Sequence, residues 1–340
     1  MTTARTIDCH THVLTEEAIR LLAKQSPKVA PKLTNIDARG GTLEIDGKVV
    51  QHPLPREIWD LGLRLRDMDA NGVDVQVLSP NVFTFFYGHE VGLSLACAAL
   101  QNEEIAAIVR RHPERFLGLG AVPLQAPQVA ADELKRSMTQ LGLRGAMIGT
   151  NVNGRNLDDP ALEPFWAAAV TLGAFIFVHP SAGAGVERLT SYYLRNMVGL
   201  PFETTIAGAS LVFGGVLERY PKLKICLAHG GGFVPYQAGR FQHGWEVRDE
   251  AKLRLHNPPT ESLSHFYYDT LLHSKSAVEY LISTAGPDRV LLGSDYPFDM
   301  GNLDCVARVR ALSIEPAARD LILGGYAQTV LGEPAGSTHA

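Results

Sequence analysis

The stretch Thr6-Ile7-Asp8-Cys9-His10-Thr11-His12 is a short, largely apolar run that ends in two histidines. The same grammar recurs three times downstream. Ala174-Phe175-Ile176-Phe177-Val178 leads into His179, Ile225-Cys226-Leu227-Ala228 into His229, and Val290-Leu291-Leu292-Gly293-Ser294 into Asp295. Each run is followed by turn or helix-start residues. Strands buried on both faces of a parallel sheet read as near-continuous apolar runs. Metal-type residues at the C-terminal ends of such strands, from the first to the last of a repeating pattern, describe one active site at the top of a barrel. The pattern predicts a metalloenzyme.

Working outward, eight strand-like runs alternate with mostly helical segments: 6–12, 73–80, 116–124, 143–151, 174–180, 223–230, 266–272 and 289–295. Apolar residues recur at i, i+3 and i+4 over 91–112, 128–141, 160–172 and 204–219, the period of an amphipathic helix. Eight strand and helix units predict an α/β fold, a closed (β/α)8 TIM barrel spanning 1–340 as a single domain. A doubly wound open sheet is the competitor. It is disfavoured because no G-x-G-x-x-G follows the first strand and the metal-type residues are dispersed along the chain. Residues 14–59 interrupt the alternation with a short helix (Glu16 to Lys24) and two extended runs around Asp46-Gly47, a hairpin signal. This insertion leaves the barrel on the face that carries the metal-type residues and is expected to cover it. Glu333 to Ala340 reads as a tail.

Composition excludes several function classes. The 340 residues are 46% hydrophobic and 20% charged, with a net charge of -5 and no basic stripe, which argues against nucleic acid as a partner. No apolar run is long enough for a membrane span, and Met1 to Arg5 lead into the first strand without a secretory leader. A cytoplasmic location is expected. Cys9, Cys97, Cys226 and Cys305 are far apart, so reduced thiols are expected rather than a disulfide framework. Cys9 adjoins the two histidines, but in a pleated strand it faces the other way and packs in the core.

His10 and His12, at i and i+2 on one strand, project to the same side and can hold one ion. Pro180 ends the strand before it and leaves His179 at the rim. The Gly230-Gly231-Gly232 run after His229 allows close backbone approach beside a ligand. As one imidazole more than a mononuclear site needs, His229 is a candidate catalytic base. Asp295 can coordinate the metal, accept a proton from bound water or donate one to a substrate.

His10-x-His12, Val178-His179-Pro180, His229-Gly-Gly-Gly and Gly293-Ser294-Asp295-Tyr296-Pro297-Phe298 together resemble the amidohydrolase superfamily, in the branch of aminocarboxymuconate-semialdehyde decarboxylase and related aromatic-acid decarboxylases. The likeness spans nearly the whole chain, including Trp59-Asp60, Met68-Asp69 and Pro123-Leu124-Gln125. It implies one divalent metal, usually zinc with manganese as an alternative, held by His10, His12, His179 and Asp295. It also implies a homodimer, and His229 as the catalytic histidine beside a metal-activated water. The carboxylated lysine of dinuclear members has no counterpart in Arg144-Gly145-Ala146-Met147-Ile148-Gly149-Thr150. One metal follows.

The resemblance further implies a nonoxidative decarboxylase of a small hydroxylated aromatic or conjugated carboxylic acid, with Asp295 or His229 delivering the proton. A hydrolase of a lactone, cyclic amide or amide, or a hydratase, shares the same ligands. In the family, one arginine in the insertion and a second, lent by a dimer partner, hold the substrate's carboxylates. Arg240 matches the second. The insertion position is His52, with Arg56 offset from it, and an imidazole cannot reproduce a guanidinium's bidentate fork. A different substrate from the family's dicarboxylate is therefore expected. Phe83, Phe85, Phe86 and Tyr87 are candidates for an aromatic wall, Phe85 chief among them, and Phe298 for pocket lining.

Overall fold

Eight short parallel strands carry the chain around a closed barrel. They are β1 (Ile7–Val13), β2 (Val75–Pro80), β3 (Phe116–Gly118), β4 (Gly145–Ile148), β5 (Phe175–Val178), β6 (Lys224–Leu227), β7 (Tyr267–Asp269) and β8 (Val290–Leu291). The computed structural model describes residues 5–25 and 31–332, so the expected tail at 333–340 lies outside the described residues. β1 pairs with β2 and β2 with β3, while β4 to β8 pair in sequence order, all parallel. Backbone hydrogen bonds close both seams. Gly120 N donates to Gly145 O (2.9 Å) and Met147 N to Gly120 O (2.9 Å), joining the end of β3 to β4. Cys9 N donates to Leu292 O, Asp295 N to His10 O and His12 N to Tyr296 O, each at 2.8 Å, joining β8 to β1. A parallel sheet closed this way has no free edge.

Composition explains why these segments form buried strands. Phe175, Ile176, Phe177 and Val178 are wholly buried, and Phe165 and Trp166 pack from the helix Glu163–Leu172 behind them in the same core. Each such side chain contributes about 1.5–3 kcal/mol of apolar burial. The regular strand Val290–Leu291 is shorter than the apolar run expected at 289–295, although backbone hydrogen bonds to β1 continue through Leu292 and Asp295. A Cβ at Gly293 would lie 2.7 Å from Asp269 Cβ and 3.0 Å from His10 Cβ. Only glycine lets β1, β7 and β8 converge this closely.

The insertion is more elaborate than a hairpin. After the helix Glu16–Gln25, three antiparallel strands, Lys32–Thr34, Gly40–Ile45 and Lys48–Pro55, form a small sheet. Asp46 (φ 53°) and Gly47 (φ 71°) make the tight turn expected from the sequence. Leu14, Leu22, Leu43, Leu54 and Ile58 form a second core beneath it, against which Phe298 packs. That core fixes the insertion to the top of the barrel. No helix among the described residues is long and apolar enough to cross a membrane.

Candidate active site

His10 and His12 lie in the C-terminal half of β1, His179 follows β5 directly, and His229 and Asp295 lie two and four residues beyond β6 and β8, so the barrel brings all five to one point. The imidazoles of His10, His12 and His179 and the Asp295 carboxylate each offer one ligand atom, and these atoms lie within 4.8 Å of one another. All four residues are buried.

Hydrogen bonds fix which ring nitrogen faces the centre. His10 Nδ1 lies 2.7 Å from Asp269 Oδ2, His12 Nδ1 3.2 Å from Pro80 O, and His179 Nδ1 2.9 Å from Pro180 O. A carboxylate and two carbonyls can only accept, so each Nδ1 carries a proton, and each Nε2 is the nitrogen turned to the centre, available to an ion once any proton it shares with Asp295 is displaced. Asp295 Oδ1 is 3.0 Å from His12 Nε2, 3.2 Å from His10 Nε2 and 3.9 Å from His179 Nε2. Among the described residues, His10 Nε2 and His179 Nε2 are buried without a hydrogen-bond partner, the His10 contact being close but poorly aligned. Buried polar nitrogens left unsatisfied cost stability unless something occupies the space between them. Three imidazoles and a carboxylate around that space fit one divalent ion.

Electrostatics point the same way. Burial opposes the charged form of His10, but Asp295 and Asp269 outweigh it and raise its pKa to about 10. Burial lowers His12 and holds His179 well below the ordinary value. For Asp295, burial favours the neutral acid, yet His10, His12 and His229 together hold it well below the usual carboxylate range. Asp295 is thus an anion, suited to ligation rather than to donating a proton.

His229 stands apart from the ligand cluster. Its Nε2 lies 3.7 Å from the other Asp295 oxygen, Oδ2, and its Nδ1 is buried without a hydrogen-bond partner. Both His229 (φ 57°) and Asp295 (φ 60°) adopt left-handed backbone, a strain of about 1–3 kcal/mol each that accumulates where geometry serves a site.

One residue at the centre of this arrangement went unnoticed in the sequence. Asp269, the last residue of β7, is fully buried and accepts from His10 Nδ1 (2.7 Å), His229 N (2.9 Å), Gly230 N (2.7 Å) and Leu271 N (3.1 Å). Burial opposes its charge, but His10 outweighs that and lowers its pKa. Its position at a strand's C-terminal end is the signal that could have found it. Arg64 is a second omission: fully buried, it bonds Gln76 Oε1 (2.9 Å) and the His12 carbonyl, with its guanidinium 4.7 Å from the Tyr296 ring centre.

Above the ligands opens a cavity of about 650 Å³, lined by His179, His229, Asp295 and Phe298 with Val50, Gln51 and His52 from the insertion. His52 Nδ1 lies 2.9 Å from Thr42 Oγ1. The Phe298 ring centre is 4.9 Å from that of His12. Phe85, expected in the aromatic wall, does not line the cavity. It is buried and stacked on Tyr87 at 5.5 Å, because the turn Val82–Thr84 presents Phe83 to the cavity instead. Arg240 is exposed on the helix Val234–Val247 and does not line the cavity of its own chain. Arg56 is paired with Asp60, Nε to Oδ2 3.1 Å.

A protein-family model described as Amidohydrolase matches residues 7–332. The 2-amino-3-carboxymuconate-6-semialdehyde decarboxylase of Dictyostelium discoideum is 37% identical over 329 residues, covering 96% of this chain and 91% of its own length. The gamma-resorcylate decarboxylase of Polaromonas sp. is 28% identical over 283 residues, 78% of this chain and 86% of that protein. Among solved structures, 5-carboxyvanillate decarboxylase from Sphingomonas paucimobilis matches with a TM-score of 0.83 at 26% identity, covering 96% of this chain and 99% of that one. A dihydroxybenzoic acid decarboxylase from Polaromonas sp., solved with manganese and 2-nitroresorcinol, shares the fold with a TM-score of 0.80 at 24% identity, covering 96% and 97%. With a family match over nearly its whole length and the barrel-top cluster of three histidines and an aspartate, this chain belongs to the amidohydrolase family.

Proposed function

We propose that the chain is a metal-dependent, nonoxidative decarboxylase of a small hydroxylated aromatic or conjugated carboxylic acid. The observation that carries this reading is the division of labour around Asp295: one oxygen faces three imidazoles, and the other faces His229. His10, His12, His179 and Asp295 are the residues suited to hold the ion. Three imidazoles weigh toward zinc, and the manganese in a structural relative makes manganese the alternative. When bound, a divalent ion supplies Lewis-acid charge that orients a substrate oxygen and stabilises negative charge as it develops.

The chain's own groups account for the rest. His229 Nε2 is the proton carrier, because Asp295 stays ionised. It delivers a proton to the carbon that bears the carboxylate, the C–C electron pair replaces the one used in the new C–H bond, and CO2 leaves. Asp269 holds His10 and the His229 backbone in place. Phe298 and Phe83 offer apolar surface to a planar substrate and exclude water.

A homodimer and a cytoplasmic location are part of the proposal. Tyr236 and Arg240, one helical turn apart, leave an exposed aromatic ring beside an exposed guanidinium with no ion-pair partner among the described residues, a surface suited to a second copy. Four buried, unpaired cysteines are compatible with a reducing compartment. A single assay tests the reaction: CO2 release by the metal-loaded protein from a panel of hydroxybenzoates and hydroxypicolinates. Ring opening or acid release without CO2 would assign a hydrolase instead. Light scattering at assay concentration tests the dimer, and a monomer there removes it.

A further inference from the structure

Arg64 is a charged side chain in the interior. It lies in the first turn of the helix Leu61–Asn71, which starts at the Asp60 cap where the insertion rejoins the barrel, and it is fully buried. Burial pulls its pKa down to about 10, so it is still a cation at neutral pH. Among the described residues no carboxylate bonds it directly. Its hydrogen bonds go to Gln76 Oε1 (2.9 Å), to the Glu57 carbonyl (3.2 Å) and to the His12 carbonyl, and the Tyr296 ring centre lies 4.7 Å from the guanidinium carbon. A buried cation is costly, and an apolar side chain of similar volume often packs at least as well. What a guanidinium adds there is the set of directional bonds made by its planar fork.

Those bonds converge on two of the proposed ligands. His12 is held at three points: its N–H donates to Tyr296 O (2.8 Å), its Nδ1 to Pro80 O (3.2 Å), and its carbonyl accepts from Arg64. Asp295 has left-handed backbone (φ 60°) and precedes Tyr296, whose hydroxyl donates to Asp67 Oδ2 (2.7 Å) and whose ring lies against Arg64. A strained residue keeps such a conformation only while its surroundings fix it, and the cation over the aromatic face holds this neighbour in place. The Glu57 carbonyl belongs to the turn Arg56–Ile58 at the end of the insertion. We infer that Arg64 is a positioning residue for the metal site: between the His12 carbonyl and the Tyr296 ring it sets the spacing of His12 and Asp295, and through Glu57 it ties that spacing to the insertion. The inference rests on the reading that His12 and Asp295 hold the ion.

Cobalt(II) reports that spacing without turnover, because its visible absorption bands follow ligand geometry. Arg64→Lys keeps the charge and loses the fork. Loaded with cobalt, this variant should still bind one ion per chain, with shifted bands and release to a chelator about tenfold faster than in the unmodified protein, the scale of losing a group that orients a ligand. Leu134→Ala is the control: it opens the core behind the helix Pro127–Thr139, outside the ligand cluster. It should lower the melting temperature and leave bands and release rate unchanged. Gln76→Leu removes the side-chain acceptor that aims the fork, and it should move both readouts in the same direction, so the test stands even where Arg64→Lys does not fold. Unchanged bands and release in a folded Arg64→Lys or Gln76→Leu, or equal changes in Leu134→Ala, overturn the inference. Unmodified protein that takes up no cobalt would remove the metal reading and this inference with it, which tells failure of that reading from failure of the inference alone.

Discussion

Asp295 Oδ2 faces His229 Nε2 at 3.7 Å while its Oδ1 lies 3.0 Å from His12 Nε2, so one carboxylate joins the ligand cluster to the fourth histidine. That relationship separates two roles among residues that look alike in the sequence, and substitutions should separate them too.

Replacing His12 with Ala removes one of the four proposed metal ligands from a buried cluster. The variant should purify without stoichiometric metal and without activity. Elemental analysis beside an activity assay checks this, and full turnover by metal-free protein would dismiss the ligand set.

His229→Ala should behave differently. Metal content is expected to stay at the unmodified level, with turnover down by about 10²-fold or more, the usual range for losing a general acid or base. Loss of the ion along with activity would make His229 a ligand instead.

Asp269→Asn keeps the shape but weakens the acceptor that holds the His10 Nδ1 proton. Metal affinity should fall about 10–100-fold, as found when a carboxylate behind a ligating imidazole is removed. Competition with a chelator measures it. An unchanged affinity would show that β1 alone orients His10.

Metal binding should also depend on pH in a defined direction. The folded ion-free protein holds a proton on His10 up to about pH 10, against an ordinary value of 6.5. That raised pKa contributes stability which is fully present below the unfolded value and is lost as pH rises through about 10. Ion binding needs Nε2 free, so it releases the proton and tightens as pH rises. The gain in melting temperature on adding the ion should grow from about pH 6 to about pH 9, followed by differential scanning fluorimetry. A gain independent of pH would contradict proton displacement.

Much of this was legible in the sequence because period and position carry it. Apolar runs mark the eight strands, and the polar residues near or just beyond their ends mark the candidate metal cluster, since both follow from local pattern. Asp269 escaped because its role is to accept from His10, 259 positions away in the chain, a relation that exists only once the barrel closes. Phe85 and Phe83 changed places for a similar reason: both are aromatic residues in one turn, and backbone geometry decides which ring faces the cavity. The first strand of the insertion, Lys32–Thr34, is only three residues long and shows no alternation of its own.

We propose that this barrel replaces a carboxylate with a proton at one metal. Running the reaction in D2O with protein carrying one ion per chain tests it most directly. Each turnover should release one CO2 and place one deuterium at the vacated carbon, both lost together in His12→Ala. A product that keeps its carboxylate and takes up oxygen from labelled water would contradict it.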